Sequence, residues 1–337
     1  MKNRLALLAA TLALLAPPML PAAPIQGPSV VQRFKLPGAT GWDFLTFDGA
    51  HDRLFITRGD HIVVMDAASG QVTGAISGTP GVHGVALVPG LGKGFASNGK
   101  ANNITVFDLA TLKVRRTIAI KGKKPDAIIH DPASGRVLAF NGESDSMSVI
   151  DPASETLVAT VPLPGDPEFA AADGKGRVFL NLEDKAKVAV IDTGANKVKE
   201  TWSLGDCQEP SGLALDAAHH RLFATCQNKR MVVLDTLSGK KVAVIPIGEE
   251  PDAAAFDAVT GLVYASCGAG VLTVAHEDDP DHFHVVANVT TQKGARTLAL
   301  DEKQHRVFLA TADFLPAPAG AKRPPVAPGS FTILVVR

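Results

Sequence analysis

The stretch "HEDDPDHFH", from His276 to His284, places three imidazoles, four carboxylates and a proline in nine positions. Imidazole nitrogens are ligands for Zn²⁺ or Cu²⁺, so His276, His282 and His284 form a candidate metal site. The same letters also suit a polar hairpin turn, where Asp and Pro set the backbone angles. Cys207, Cys226 and Cys267 are the other chemically reactive side chains. There is no C-x-x-C-H for haem attachment, no G-x-S-x-G, no H-E-x-x-H and no P-loop, which removes several enzyme classes. "SGKK", Ser238 to Lys241, matches S-x-x-K by letter but falls in an expected turn rather than at the start of a helix.

What these residues can do depends on the elements that carry them. Short apolar runs ending in a carboxylate recur at Asp66, Asp108, Asp151, Asp192 and Asp235, at intervals of 42, 43, 41 and 43 residues. A second marker, an aromatic or leucine inside an "RLFxT"-like run, recurs at Phe55, Phe95, Leu138, Phe179, Phe223, Tyr264 and Phe308, which makes seven units. Within each unit, β-branched and aromatic runs alternate with Gly, Pro, Asp and Asn. Four strands in about 42 residues is the content of one propeller blade.

The ends of the chain test that reading. The seventh unit contains "ARTLALD", "RVFLAT" and "FTILVV" but no fourth strand, while an orphan strand, Val30 to Gly38, precedes the first unit. Pairing the two removes two open sheet edges. The expected fold is therefore all-β: a seven-bladed β-propeller of four-stranded antiparallel blades, closed by the N-terminal strand on the C-terminal blade.

This register sorts the candidate chemistry. Entries to the first strands read "WDF", "VHG", "PDA", "PEF", "PSG", "PDA" and "ART". They offer one side chain per blade to the channel mouth: Asp43, His83, Asp126, Glu168, Ser211, Asp252 and Arg296. Four carboxylates around one axis repel each other unless a cation intervenes, and oxygen donors with one imidazole suit Ca²⁺, Mg²⁺, Mn²⁺ or Zn²⁺. A divalent cation is thus the cofactor class this ring would take; the alternative is that these residues cap strands. Polar turns such as "NGESDS" (Asn141 to Ser146) and "NLEDK" (Asn181 to Lys185) share that face, as does a long Pro- and Ala-rich loop, Ala312 to Ser330, bearing Lys322 and Arg323. Loops of that length in compact domains are functional or disordered. The histidine-rich stretch falls on the opposite face, because His276 follows Asp252 by the same 24 residues that separate Asp235 from Ser211. It becomes the turn between the third and fourth strands of blade six, with His282 and His284 on one side of a strand and His276 across the hairpin.

Cys207 precedes the first strand of blade five and Cys226 ends its second, so a disulfide between them is sterically plausible. Cys267 occupies the position in blade six that Cys226 holds in blade five. Three reduced thiols or a soft-metal site are the alternatives.

The segments "KPDAIIHDPASGRVLAFNGESDSMSVIDPASETLVATVPLPG" and "EPSGLALDAAHHRLFATCQNKRMVVLDTLSGKKVAVIPIG" resemble the YVTN-type repeat of YncE-like bacterial propellers. The resemblance covers nearly the whole chain after residue 23, although unit two lacks the Asp turn and unit six has lost its "V-I-D". It implies the fold and an exported binding or scaffold protein, not a reaction.

The first residues read as an export signal, 1–23: Lys2 and Arg4, then "LALLAATLALLA", then small residues at Ala22 and Ala23. The mature chain is expected to begin near Pro24 as a single domain, 24–337, in the periplasm or secreted, without insertion in the membrane. The net charge of −1 and only short basic runs such as "KGKK" give no strong nucleic-acid signal. A monomer is expected. The leading function is a propeller that binds a small ligand or an extended protein segment on its channel face. The alternatives are a metal-assisted lactonase, hydrolase or lyase with His83 as base, or a redox partner resembling quinoprotein amine dehydrogenase and haem d1 propellers.

Overall fold

A computed structural model describes residues 27–38, 40–318 and 324–337. The export signal expected at 1–23, and Lys322 and Arg323, lie outside the described residues. The strands, β1 to β28 in chain order, form seven four-stranded antiparallel sheets. Blade five is representative: β18 (Pro210–Asp216), β19 (Arg221–Cys226), β20 (Arg230–Asp235) and β21 (Lys241–Pro246) pair in that order. Blade seven has the order β1 (Val30–Lys35), β28 (Thr332–Val336), β27 (Arg306–Thr311), β26 (Arg296–Asp301). The N-terminal strand therefore supplies the missing outer strand, with Arg33 opposite Leu334 and Phe34 opposite Ile333.

The two recurring residue types explain the blades. The second-strand aromatics Phe55, Phe95, Phe179, Phe223 and Phe308 are wholly buried between neighbouring sheets. Each contributes roughly 1.5–3 kcal/mol of transfer free energy. The recurring Asp at the end of the third strand ties the following turn. Asp66 Oδ1 accepts from Ser69 N and Oγ at 2.7 and 2.6 Å, and Asp235 Oδ1 accepts from Ser238 N and Oγ, both at 2.7 Å. Outer strands such as β9 (Val114–Ala119) bury one residue and expose the rest, including Arg115 and Arg116. Charge at such an edge discourages pairing with another sheet.

Basic residues at the start of the second strand link blades two, four, five and seven to the next blade. Lys93 Nζ donates to Pro152 O at 2.9 Å, Arg177 to Thr236 O at 2.6 Å and Arg221 Nε to Pro280 O at 2.5 Å. Arg306 of blade seven reaches Asp52 and Ala67 O of blade one at 2.8 and 3.3 Å, closing the ring.

Candidate functional site at the channel mouth

The ring residues reach the mouth because the first strands are irregular there. In blades two to six, the first strand's pairing register breaks at its start: between Val82 and Val85, Pro125 and Ile128, Pro167 and Ala170, Pro210 and Leu213, and Pro251 and Ala254. His83, Asp126, Glu168, Ser211 and Asp252 each sit inside that bulge. A bulge leaves a residue unpaired and re-aims its side chain. Hydroxyls of the second strand accept from the freed amides: Ser97 from Gly84 N and Thr225 from Gly212 N at 2.9 Å, and Ser266 from Ala253 N at 3.2 Å. In blade seven the break falls between Arg296 and Leu298, leaving Thr297 in the bulge at φ +47°.

The seven positions divide into unlike groups. On one side His83 Nδ1 lies 2.5 Å from Asp43 Oδ2 and 3.5 Å from Asp126 Oδ1, and Lys124 Nζ lies 3.6 Å from Asp126. Burial opposes a charge on His83, yet the hydrogen bond with Asp43 and the charges of Asp126 and Asp43 raise its pKa overall. Burial, with the charge of Asp43, pushes the Asp126 carboxyl up to about 6 against the pull of His83 and Lys124. The ligand atoms of Asp43, His83 and Asp126 lie within 4.8 Å of one another, so these three residues could hold a divalent cation.

On the other side Asp252 accepts from Thr297 N at 2.8 Å and stands 3.9 Å from Arg296. Ser211 is buried and its hydroxyl donates to Pro251 O at 3.1 Å, while the residue lines the same cavity as Glu168 and Asp252. Between the two groups stands Glu168, whose carboxylate has no hydrogen-bond or ion-pair partner among the described residues. Burial, with the charges of Asp126, Glu183, Asp252 and Asp43, pushes it up to about 9.

Beneath the ring the axis is blocked. Phe44 of blade one and Phe169 of blade four follow Asp43 and Glu168 in the chain, and their ring centroids are 4.6 Å apart. Blades one and four are not neighbours, so the rings meet across the axis. The mouth is thereby a blind pocket. A cavity of about 800 Å³ there is lined by residues that include Glu168, Glu183, Asp252, Arg296, Trp42 and Phe314. Described residues of the Pro-rich loop, Phe314 and Pro324 to Val326, also line it. Phe314 bridges Val326, Leu315 N donates to Pro325 O at 2.8 Å, and Phe314 stands 6.0 Å from Trp42. Sequence reasoning passed over Trp42, Phe314, Glu183 and the phenylalanine plug. Trp42 was visible as the aromatic beside Asp43, and Glu183 lay in a quoted turn.

Cys207 and Cys226 form a disulfide with Cα atoms 5.3 Å apart, and Cys267 is free and buried. No helix among the described residues is long and apolar enough to cross a membrane. In blade six β24 (Val271–Asp279) and β25 (His282–Thr290) run longer than the other strands, leaving only Pro280 and Asp281 as the turn. His276 and His284 are paired across the hairpin, and their Nδ1 atoms lie 2.8 and 2.7 Å from Asp278. His282 instead contacts Asp279 at 2.9 Å, so the ligand-like group here is His276, Asp278 and His284.

Fold and site together define a closed seven-bladed propeller with a blind acidic mouth. No protein-family model matches the chain, and neither does any curated protein. Solved structures do. The chain is similar to Kuenenia stuttgartiensis hydrazine synthase, at 17% identity and TM-score 0.70 over 86% of this chain and 95% of that one. It is also similar to U3-55K, at 11% identity and TM-score 0.77 over 91% and 99%. The RRP9 WD40 repeats give 12% identity and TM-score 0.78 over 93% and 99%. At such identities the likeness establishes the propeller fold and nothing about activity.

Proposed function

We propose that the protein is an exported binding module that captures, at its blind mouth, a ligand with a cationic amine or guanidine end and an apolar flank. The ligand is a small molecule or a basic side chain of an extended protein segment. The observation that carries this reading is the lining of one cavity: Trp42 and Phe314 share it with the carboxyls of Glu168 and Glu183, and Arg296 already stands 6.0 Å from the Trp42 ring. An aromatic face next to carboxylates favours a cation, which would also offset the burial and the neighbouring charges that raise Glu168. The resemblance to YVTN-type repeats and the expected export signal support an exported binding protein, and a disulfide fits an oxidising compartment. Trp42 and Trp202 are the two tryptophans, and Trp202 is remote in blade four, so tryptophan emission reports on the mouth. Titration with a polyamine should shift that emission, a neutral alcohol of equal length should not, and Glu168→Gln should weaken amine binding at least tenfold. An unchanged spectrum at saturating polyamine would sink the reading.

A second reading rests on Asp43, His83 and Asp126. A divalent cation there, with a neighbouring base, would support metal-assisted lactonase, hydrolase or lyase chemistry. Elemental analysis tests it: protein with no bound metal, and a melting temperature unmoved by Ca²⁺, Mn²⁺ or Zn²⁺ in a His83→Ala comparison, would count against it.

A further inference from the structure

In blades one, four and seven the Asp at the end of the first strand is neutralised by the Arg that begins the second. Asp48 pairs with Arg53 at 2.9 Å, Asp173 with Arg177 at 2.8 Å and Asp301 with Arg306 at 2.8 Å. Blade five departs from this. Arg221 turns outward to Asp235, Asp281 and Pro280 O, and Asp216 Oδ2 is left buried without a hydrogen bond. The residue packed against that Asp comes from the next blade, at the position after the third-strand carboxylate. Five blades fill this position with Ala67, Leu109, Pro152, Thr193 and Thr236, all buried. Blade six places Glu277 there, in the same backbone register, its N–H donating to Gly261 O as Thr236 N–H donates to His220 O.

Two carboxylates are thus driven together between blades five and six. The Glu277 side chain is 3% exposed and that of Asp216 is 2%, and neither oxygen of Glu277 has a hydrogen bond. Burial and the charge of Asp216 push the Glu277 carboxyl up to about 7. One further group completes the cluster. His219 Nδ1 lies 2.7 Å from Asp216 Oδ2 and 3.0 Å from Glu277 Oε1, without the N–H meeting either oxygen at hydrogen-bond geometry. Its side chain is 55% exposed, so the cluster opens to solvent on the imidazole side alone. Two buried carboxylates and one imidazole, with a solvent-facing side for water ligands, make a three-ligand set for a borderline divalent ion.

We propose that Asp216, His219 and Glu277 bind a divalent transition cation of the Zn²⁺ or Mn²⁺ class, which clamps blade five to blade six at the rim. The site is distinct from the mouth. It also differs from the His276, Asp278 and His284 group on the other side of β24, where both Nδ1 atoms pair with Asp278 and the carboxylate is exposed rather than buried.

The full chain, stripped with a chelator, is titrated calorimetrically with Zn²⁺ and separately with Mn²⁺, and melted with and without each ion. Glu277→Thr introduces the residue that blades four and five carry at this position, so it preserves packing. The parent should bind one ion more than Glu277→Thr, His219→Ala should weaken that ion at least tenfold, and His284→Ala and His83→Ala should leave it in place. The cation should raise the melting temperature of the parent more than that of Glu277→Thr. Equal stoichiometry and affinity in the parent and Glu277→Thr, or no uptake by the parent, would overturn the proposal and leave the pair sharing a proton.

Discussion

Phe44 and Phe169 meet face to tilted face at 4.6 Å although their blades are not adjacent, so one aromatic contact ties opposite sides of the ring. It also supplies the floor under Asp43 and Glu168. Because Phe44 is only half-buried, Phe44→Ala should cost less than a fully buried phenylalanine, about 2 kcal/mol. A double-mutant cycle with Phe169→Ala should return a coupling of about 1 kcal/mol. Additive losses in chemical denaturation would show that the rings do not support each other.

The mouth should make stability depend on pH in an unusual direction. Glu168 is raised to about 9 and Asp126 to about 6 when folded, above their ordinary values of 4.5 and 3.8. Between those limits the folded chain holds protons that the unfolded chain has released. Stability therefore falls as pH rises, for Asp126 from about pH 4 to 6 and for Glu168 from about pH 4.5 to 9. Glu168→Gln, which imitates the protonated form, should flatten the slope of melting temperature above pH 6 and stabilise the protein most at pH 9. Parallel profiles for the two proteins would refute the assignment.

Arg306 is the buried link across the closure. It bonds Asp301 twice, Asp52 once and Ala67 O once. Removing it leaves Asp301 buried and without its cation, so Arg306→Ala should cost about 3–5 kcal/mol. Substituting the exposed neighbour Glu302 by Ala should change stability by less than about 0.5 kcal/mol. Equal effects of the two substitutions in urea melts would contradict a closing role for Arg306.

The disulfide joins residues 19 apart. On a chain-entropy estimate, reducing it should cost about 3 kcal/mol, without loss of the propeller's β signal in circular dichroism. Cys207→Ser with Cys226→Ser should match the reduced parent, and thiol titration of the unreduced parent should find only Cys267, exposed on denaturation.

Much of this was legible in the sequence because the fold repeats. Phe223 or Asp235 taken alone says little, but the same residue at intervals near 42 fixes blade number, strand order and the faces of the ring. The closure was legible as an orphan strand and a matching deficit. The site was legible only as positions. A bulge has no sequence period, so nothing foretold that Asp126 would lean towards His83 while Ser211 turned to Pro251 O. The Phe44–Phe169 and Trp42–Phe314 contacts join residues more than a hundred positions apart and exist only once the ring closes. In the histidine-rich stretch, sequence adjacency misled: the pleat sends His276 and Glu277 to opposite sides of β24, and the carboxylate is the buried one.

The closing pair has a mechanical consequence. β1 and β28 run antiparallel with Val30 opposite Val336, and Ser29 exchanges backbone hydrogen bonds with Arg337 at 2.9 and 3.1 Å, so the start of β1 and the end of β28 lie side by side. A load applied through those ends pulls the rungs apart one after another instead of shearing them together. The joint that makes the ring cooperative towards heat and denaturant is therefore its weakest seam under tension, and the first element to peel away should be β1.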